Sequence, residues 1–236
     1  MANGFFRAIT QLPHEQIHWR VFLIIEMALL KAWELMRVNP RKGFDLKSAL
    51  EDPITEELRV RLLDEVFKYG LVEGFDHQVF KSISREPKYC DYKSDSIDKM
   101  PDIVIELENR KNISLPSQDG LFIECKPVDK THPVGQKYCH DGLIRFVRGD
   151  YAWAMVDAMM IGYVREGYWI DPNLVKALQK SKTIITLQPP TPCTKSSPAA
   201  YSEVTHITRH DRSFPYPESG EQATPIAIRH LWLKRE

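Results

Sequence analysis

The chain lacks an excess of charge of either sign. Its 236 residues include 32 Lys and Arg and 32 Asp and Glu, which gives a formal net charge of zero. Nucleic-acid-binding proteins commonly carry a basic excess, because basic side chains neutralise phosphates. A high-affinity binder without sequence preference is therefore disfavoured, and we expect any phosphate-binding surface to be local.

Cysteine is scarce, and its spacing does not favour metal binding. None of the four cysteines belongs to a C-x-x-C pair, so a zinc knuckle is disfavoured. The first residues also lack the charged, apolar and small-residue pattern of a secretory signal peptide. Scattered cysteines without such a signal favour reduced thiols in a cytoplasmic protein.

Long uninterrupted apolar runs are missing as well. The most apolar segment, 21–36, contains Glu26, Lys31 and Glu34 and is therefore too charged to span a bilayer. We expect no membrane partner. The same segment is apolar on nearly every side of a helix, which predicts either burial in the core or a contact with a second copy or a partner subunit.

The composition that remains is that of an ordinary globular domain. Hydrophobic residues make up 43% and charged residues 27% of the sequence, which is enough apolar surface for a sizeable core. We expect a single domain over residues 1–236. Its core is expected at about 51–187, with an N-terminal helical embellishment at 1–44 and a strand-rich C-terminal extension at 188–236.

Apolar periodicity divides the chain into helices and strands. Helices are predicted at 14–38, within 45–70, at 136–156 with a break near Gly149, and at 172–179. Strands are predicted at 79–84, 102–107, 121–126, 159–164, 183–187, 204–207 and 226–233. The Pro- and Ser-rich segment 188–200 and the polar segment 211–224 are predicted loops, the second of them mobile. This order predicts an α/β protein with a central mixed sheet flanked by helices.

Two sequence motifs carry chemically useful side chains. Pro101-Asp102 opens one predicted strand, and Glu124-Cys125-Lys126 lies on the next. Successive side chains alternate across a strand, so Glu124 and Lys126 share one face while Cys125 points to the other. If the two strands pair as neighbours in a hairpin, Asp102 reaches the same face. Two carboxylates and one ammonium group then meet at a common edge.

This set of side chains suits metal-assisted chemistry at a phosphate. Mg²⁺ prefers oxygen ligands, which Asp102 and Glu124 can supply, and Mn²⁺ is an alternative ion. The metal polarises the phosphate and activates a bound water, while Lys126 orients that water or stabilises the developing charge. The alternative interpretation is a solvated strand pair with ordinary surface charges, whose ion pair contributes little.

Pro101-Asp102 followed by Glu124-Cys125-Lys126 on an apolar strand resembles the PD-(D/E)XK, or restriction-endonuclease-like, nuclease superfamily. The core of that family is a helix, three strands, a helix and a strand, which is similar to the order predicted over 51–164. The resemblance covers about half of the chain. It implies a restriction-endonuclease-like core and a Mg²⁺-dependent endonuclease that hydrolyses DNA phosphodiester bonds, in restriction or phage defence. RNA stays open as a substrate.

The resemblance implies a third metal ligand. Members usually carry an acidic residue on the helix before the sheet, and the segment 50–55 is similar to the form that this residue often takes. Glu51 is therefore expected to join Asp102 and Glu124 at the metal. Glu57 and Glu65 remain alternatives.

The resemblance also points to the helix after the lysine, where some members carry a glutamine and a tyrosine. Gln136 and Tyr138 lie in this region, although their spacing differs from the usual one. Gln136 is kept as a candidate catalytic residue.

Basic residues elsewhere are candidates for phosphate contact. Arg145 and Arg148 are three residues apart on a predicted helix and therefore lie on one side of it, as phosphate contacts or as a solvated face. Arg209 belongs to a basic group near the C-terminus. We interpret this group either as the lining of a nucleic-acid groove or as scattered surface residues: His206, Arg209, His210, Arg212 and His230.

Two other classes of function stay open. One is a catalytically inactive nucleic-acid-binding module with the same fold, which loss of metal dependence in binding would favour. The other is a structural subunit of a larger complex, or a homodimer, that uses the helix at 14–38 as its contact. The fold alone does not decide among these classes, because function resides in the site.

Overall fold

The computed structural model describes residues 12–95, 97–108, 110–193, 205–217 and 219–236. Within these ranges, seven strands form one mixed sheet. They are β1 (Phe80–Arg85), β2 (Ile103–Leu107), β3 (Leu121–Val128), β4 (Asp157–Val164), β5 (Thr186–Pro192), β6 (His206–His210) and β7 (Ile226–Lys234). Their order across the sheet is β1-β2-β3-β4-β7-β6-β5.

The centre of the sheet is parallel and its two sides are antiparallel. β4 pairs in parallel with β3 on one side and with β7 on the other. β2 and β1 continue antiparallel from β3, while β6 and β5 continue antiparallel from β7. Every residue of β3 and β4 is buried, as expected for parallel strands covered on both faces. The predicted α/β class with a central mixed sheet is confirmed.

Helical segments cover both faces of the sheet. They are α1 (Trp19–Val38), α2 (Glu51–Arg61) with its continuation π1 (Leu62–Phe67), π2 (Val134–Leu143) with its continuation α3 (Ile144–Arg148), and π3 (Ile170–Leu174) with its continuation α4 (Val175–Lys180); Pro116–Gln118 is a 3₁₀ turn. α1 and α2 lie on the face of Tyr163, whose ring stacks on Trp33 and whose hydroxyl lies 2.9 Å from Thr55 Oγ1. π2 lies on the opposite face, where Gly142 packs against Met160.

α1 begins at Trp19 and not at the predicted residue 14, because residues 12–18 run along the core as a non-helical strap. The Ile17 amide in this strap donates a hydrogen bond to Asp157 Oδ2 at 2.9 Å. The apolar residues of α1 are largely buried, which supports core burial as the reason for its composition. No helix in the described ranges is long and apolar enough to cross a membrane.

The segment after residue 188 supplies the middle of the sheet as well as its edge. β7 lies between β4 and β6 and pairs with β4 over its full length, from Asp157 opposite Ala227 to Val164 opposite Lys234. This parallel pairing gives the C-terminal segment the same buried environment as the predicted core.

β5 begins later than the predicted strand at 183–187 and runs into the predicted Pro-rich loop. Pro189 and Pro190 are tolerated there because β5 is an edge strand, where a missing amide donor costs fewer ladder bonds. Its register against β6 is irregular over the same stretch. The rest of the predicted loop, 194–200, lies outside the described residues.

The segment 211–224, predicted as a polar mobile loop, folds around a buried arginine. Arg212 Nη1 donates to the carbonyls of Trp153 and Met155 at 3.1 and 3.0 Å, and Nε donates to the Thr224 carbonyl at 2.6 Å. One guanidinium thereby donates to three backbone carbonyls, two of them in buried hydrogen bonds. A second, smaller core forms beside it from Trp153, Ala154, Phe214, Tyr216 and Ala223.

Two histidines of the C-terminal basic group are also buried, which corrects their interpretation as part of a nucleic-acid groove. Thr208 Oγ1 lies 2.6 Å from His210 Nε2 and 2.8 Å from His230 Nε2, and His230 Nδ1 lies 2.9 Å from the Tyr138 hydroxyl. Burial lowers the pKa of His210 to about 4, so its ring is neutral near pH 7. The network connects β6 and β7 to π2.

Replacing Arg212 with methionine tests the second core. The substitution leaves buried carbonyls without donors, so we expect the free energy of unfolding to fall by about 3 kcal/mol. Urea denaturation followed by circular dichroism measures the change. Arg209→Met is the matched control, because Arg209 is exposed on β6, and we expect a change below about 0.5 kcal/mol. Equal stability of the two variants would contradict this account of Arg212.

Candidate active site

The candidate site lies where β2 and β3 separate. The two strands pair from Ile105–Leu121 to Ile103–Ile123, and no β2 residue lies opposite β3 beyond that point. The Cys125 amide therefore has no partner on β2. It donates instead to Asp102 Oδ2 at 2.6 Å, so that this carboxylate replaces the missing backbone acceptor.

The ammonium group of Lys126 lies at the centre of this opening. Its Nζ is 2.6 Å from Glu51 Oε1, 3.0 Å from Glu124 Oε1 and 3.6 Å from Asp102 Oδ2. It also donates to the Cys125 carbonyl at 2.8 Å. Four oxygens from three chain segments thus surround one cationic nitrogen, as the predicted grouping of Glu51, Asp102 and Glu124 around Lys126 requires.

Glu124 is the most buried member of the group, with no exposed surface. Its Oε2 accepts a short hydrogen bond from the Tyr151 hydroxyl. Its Oε1 lies 3.1 Å from Arg145 Nη1 and close to Lys126, yet it receives no well-directed hydrogen bond. A buried carboxylate oxygen is therefore left with capacity to accept a further ligand or donor.

Burial and like charge set the protonation of these groups. Burial, with a smaller contribution from the nearby Asp102, raises the pKa of Glu124 to about 7. Burial also raises the pKa of Asp102 and of Glu51. Burial alone would lower the pKa of Lys126, but the three carboxylates outweigh it and hold the pKa above its ordinary value.

The formal charge of the cluster favours a further cation. Three carboxylates face the ammonium of Lys126 and the guanidinium of Arg145, so one negative charge remains when all five groups are ionised. In a largely buried setting this charge is costly unless Glu124 takes up a proton or a cation binds. Protonation of Glu124 and binding of a cation are therefore two alternative ways to remove the negative charge of the cluster.

Local sequence features bring the members together. Glu51 is the first residue of α2, and its side chain reaches Lys126 from the end of that helix. Gly142 lets π2 approach β3 closely: a Cβ there would lie 3.2 Å from Lys126 Cγ and 3.5 Å from Glu124 Cγ. The close packing of π2 over the site therefore depends on the absence of a side chain at Gly142.

Some predicted site residues are not brought into the cluster. Gln136 is exposed on π2, where its amide nitrogen lies 3.1 Å from Asp141 Oδ1. Arg148 is exposed at the end of α3, and Arg209 is exposed on β6. Arg145 is the exception among the predicted phosphate contacts, because it pairs with Glu124 inside the site.

The ion pairs of the α2–π1 helix distinguish Glu51 from the two alternative acidic residues. Glu57 and Glu65, the alternatives to Glu51, pair with the buried Arg61 at 2.7 and 2.5 Å. Glu51 alone of the three contacts Lys126 among the described ion pairs.

Tyr151 is the site residue that the sequence reasoning missed. Gly149 ends α3 in a left-handed conformation with φ of 74°, and the chain then turns back toward the sheet. The Tyr151 ring packs edge-on against Phe146 and its hydroxyl reaches Glu124. The helix break at Gly149 is the sequence feature that could have indicated Tyr151, since the residues just after such a break return to the core.

The carboxylates of the cluster are of a ligand class that binds hard divalent cations, but Lys126 lies where they converge. In the described part of the chain, no three His, Cys, Asp or Glu side chains are arranged so that they could hold a metal ion. At the candidate site, the ammonium of Lys126 lies between the carboxylates. The buried Oε1 of Glu124 and the oxygens of Asp102 and Glu51 are of the class that Mg²⁺ and Mn²⁺ select.

Comparisons with family models, with curated proteins and with solved structures found no match to this chain. The resemblance to PD-(D/E)XK nucleases therefore depends on the residues and the geometry described above.

The raised pKa of Glu124 predicts a pH dependence of stability. Because the folded-state pKa of about 7 exceeds the ordinary 4.5, protonation of Glu124 favours the folded state. This contribution is complete below about pH 4.5 and is lost as the pH rises through 7. Glu124→Gln mimics the protonated acid. From about pH 5 to pH 8 in EDTA, we expect the variant to gain up to about 3 kcal/mol of stability over the unmodified protein.

Urea denaturation at each pH measures this difference, and Glu56→Gln is its control. A hydrogen bond from Arg59 lowers the pKa of Glu56, so Glu56 stays ionised across the whole range and its variant should differ from the unmodified protein by a constant amount. A constant difference for Glu124→Gln as well would contradict the assigned protonation of Glu124.

Proposed function

We propose that this protein is a metal-dependent nuclease of the PD-(D/E)XK type that hydrolyses phosphodiester bonds of DNA. One observation carries the proposal: Glu51, Asp102 and Glu124 converge on Lys126 where β2 and β3 separate. The order of α2, β1, β2, β3, the π2–α3 helix and β4 supports it, because it follows the helix, three strands, helix and strand of that family.

Glu51, Asp102 and Glu124 are the residues proposed to hold Mg²⁺ or Mn²⁺. When bound, such an ion polarises a phosphate and makes a coordinated water more nucleophilic at neutral pH. Tyr151 keeps Glu124 in place through the hydrogen bond to Oε2, while the buried Oε1 retains capacity to accept a ligand. Gly142 and the burial of Glu124 keep bulk water away from that carboxylate.

Lys126 and Arg145 supply the positive charge that a phosphodiester requires. Lys126 stays protonated, since its carboxylate neighbours raise its pKa, and we assign it electrostatic stabilisation and orientation of water. The guanidinium of Arg145 is 39% exposed while one of its nitrogens contacts Glu124. Arg145 also hydrogen-bonds with Tyr151, and its partial exposure leaves part of the guanidinium accessible to a phosphate oxygen.

A second candidate function is nucleic-acid binding without cleavage. It is favoured by the ion pairs that already neutralise Lys126 without any metal. In that case Asp102 acts only as the acceptor for the Cys125 amide, and the cluster holds the strands apart as a structural element. The two functions differ in whether the charge of Asp102 matters or only its hydrogen bond.

Asp102→Asn separates these functions. The asparagine amide oxygen can still accept from the Cys125 amide, but the negative charge is lost. For Asp102→Asn and for Lys126→Gln, we expect the rate of metal-dependent cleavage of plasmid and single-stranded DNA to fall by at least about 100-fold. Circular dichroism and thermal unfolding verify that each variant is folded.

Lys137→Gln is the matched control, because Lys137 is half-exposed on π2 and pairs with Asp141 outside the cluster. It should cut DNA like the unmodified protein with Mg²⁺ or Mn²⁺ and be inactive in EDTA. Full activity of folded Asp102→Asn would overturn the assigned site. No cleavage by the unmodified protein, together with metal-independent DNA binding, would favour the second function.

A further inference from the structure

A cleft at the N-terminal end of π2 has a charged lining that is mainly positive. It has a volume of about 320 Å³ and lies between the turn after β3 and the π3–α4 helix. Its charged lining residues are Lys130, Lys176, Lys180 and Asp129. The chain has no net charge, so this threefold excess of lysine is a local feature of the kind that phosphate binding requires.

Three other clefts in the described part of the chain lack this excess. The larger cleft of about 760 Å³ beside the end of α1 is lined by equal numbers of acidic and basic side chains. The cleft beside the 12–18 strap is nearly balanced, and that between α4 and β5 carries no charged side chain. Of these four, only the cleft at Lys130 offers a predominantly cationic lining.

The three lysines of this cleft are free to meet a ligand. Among the described residues, no ion pair or hydrogen bond involves their ammonium groups, and all three side chains are exposed. Lys176 and Lys180 are four residues apart on α4 and project from one side of it. Lys137 shows the contrast, because its ammonium group pairs with Asp141 on the same helix.

The one acidic residue of the cleft is engaged elsewhere. Asp129 Oδ1 accepts from the Thr131 amide at 2.8 Å, from the Thr131 hydroxyl at 2.7 Å and from the His132 amide at 2.9 Å. These bonds close the turn after β3, and the ion pairs of Asp129 are with His132 and Arg165 and with none of the three lysines. An anionic group entering the cleft would therefore exchange water for three ammonium groups.

The cleft and the candidate active site share two structural elements. Asp129 follows Lys126 by three residues along β3, which corresponds to about 10 Å. π2 begins beside the cleft at Val134 and Gly135, and its other end packs over Lys126 through Gly142.

We propose that the cleft formed by Lys130, Lys176 and Lys180 binds the phosphodiester backbone of a nucleic-acid strand that also reaches the candidate active site. This inference deepens the proposed nuclease function and rests on it for the identity of the strand. Exposed ammonium groups contact phosphates without reading bases, so the cleft contributes affinity and register and no sequence preference.

Binding of fluorescein-labelled 20-nucleotide DNA, single-stranded and duplex, in EDTA tests the proposal without any cleavage. For a triple variant with Lys130, Lys176 and Lys180 changed to Gln, we expect Kd to rise about tenfold or more. The slope of log K against log salt should become shallower by about 2 to 3, because three phosphate contacts are lost. Fluorescence anisotropy at several salt concentrations measures both quantities.

The control triple variant has Lys68, Lys81 and Lys88 changed to Gln, which removes the same charge elsewhere on the surface. It should keep the Kd and the salt slope of the unmodified protein. Equal losses in the two triple variants, or no DNA binding by the unmodified protein, would overturn the proposal. Binding of inorganic pyrophosphate that depends on the three lysines, without DNA binding, would assign the cleft to a small phosphate compound and would also overturn it.

The outcome is independent of whether the protein cuts. Lysine-dependent DNA binding without metal-dependent cleavage would uphold the cleft and reject the nuclease. Metal-dependent cleavage with an unchanged Kd in the cleft variant would uphold the nuclease and reject the cleft.

Discussion

The central constraint in this molecule is a buried lysine held among three carboxylates. Removing charges from water is costly, and the cost is offset here only because Lys126 contacts Glu51, Glu124 and the Cys125 carbonyl at hydrogen-bonding distance. Each contact places a demand on the fold. The start of α2 has to reach β3, β2 has to begin at Ile103, and π2 has to carry a glycine above the cluster.

The same constraint leaves the site two ways to remove its excess negative charge, a proton on Glu124 or a bound cation. Five ionised groups leave one negative charge, and the burial of Glu124, with a smaller contribution from Asp102, raises the pKa of Glu124 to about 7. A proton on Glu124 and a cation beside it are competing ways to remove that charge. The third carboxylate leaves a negative charge that Lys126 and Arg145 do not neutralise, which is the physical basis for proposing a metal site.

The sequence predicts the centre of the site well and its surroundings less well. Alternation along β3 places Glu124 and Lys126 on one face, because a strand has a fixed period of two. The choice of Glu51 over Glu57 depends on the contact between Glu51 and Lys126, a tertiary ion pair that periodicity cannot reveal. The buried positions of Arg212 and His230 were missed for the same reason: polar residues enter the core only where distant segments supply partners. The family assignment itself stays a prediction.

Binding of Mn²⁺ measured by isothermal titration calorimetry tests the central claim most directly, since it requires neither a substrate nor cleavage. If the carboxylates form a metal site that Lys126 occupies in the absence of metal, the unmodified protein should bind one Mn²⁺. Asp102→Asn should then bind at least about tenfold more weakly, and Lys126→Met, which removes the competing ammonium, should bind more tightly. No binding by the folded unmodified protein, or equal affinity in all three proteins, would contradict the account.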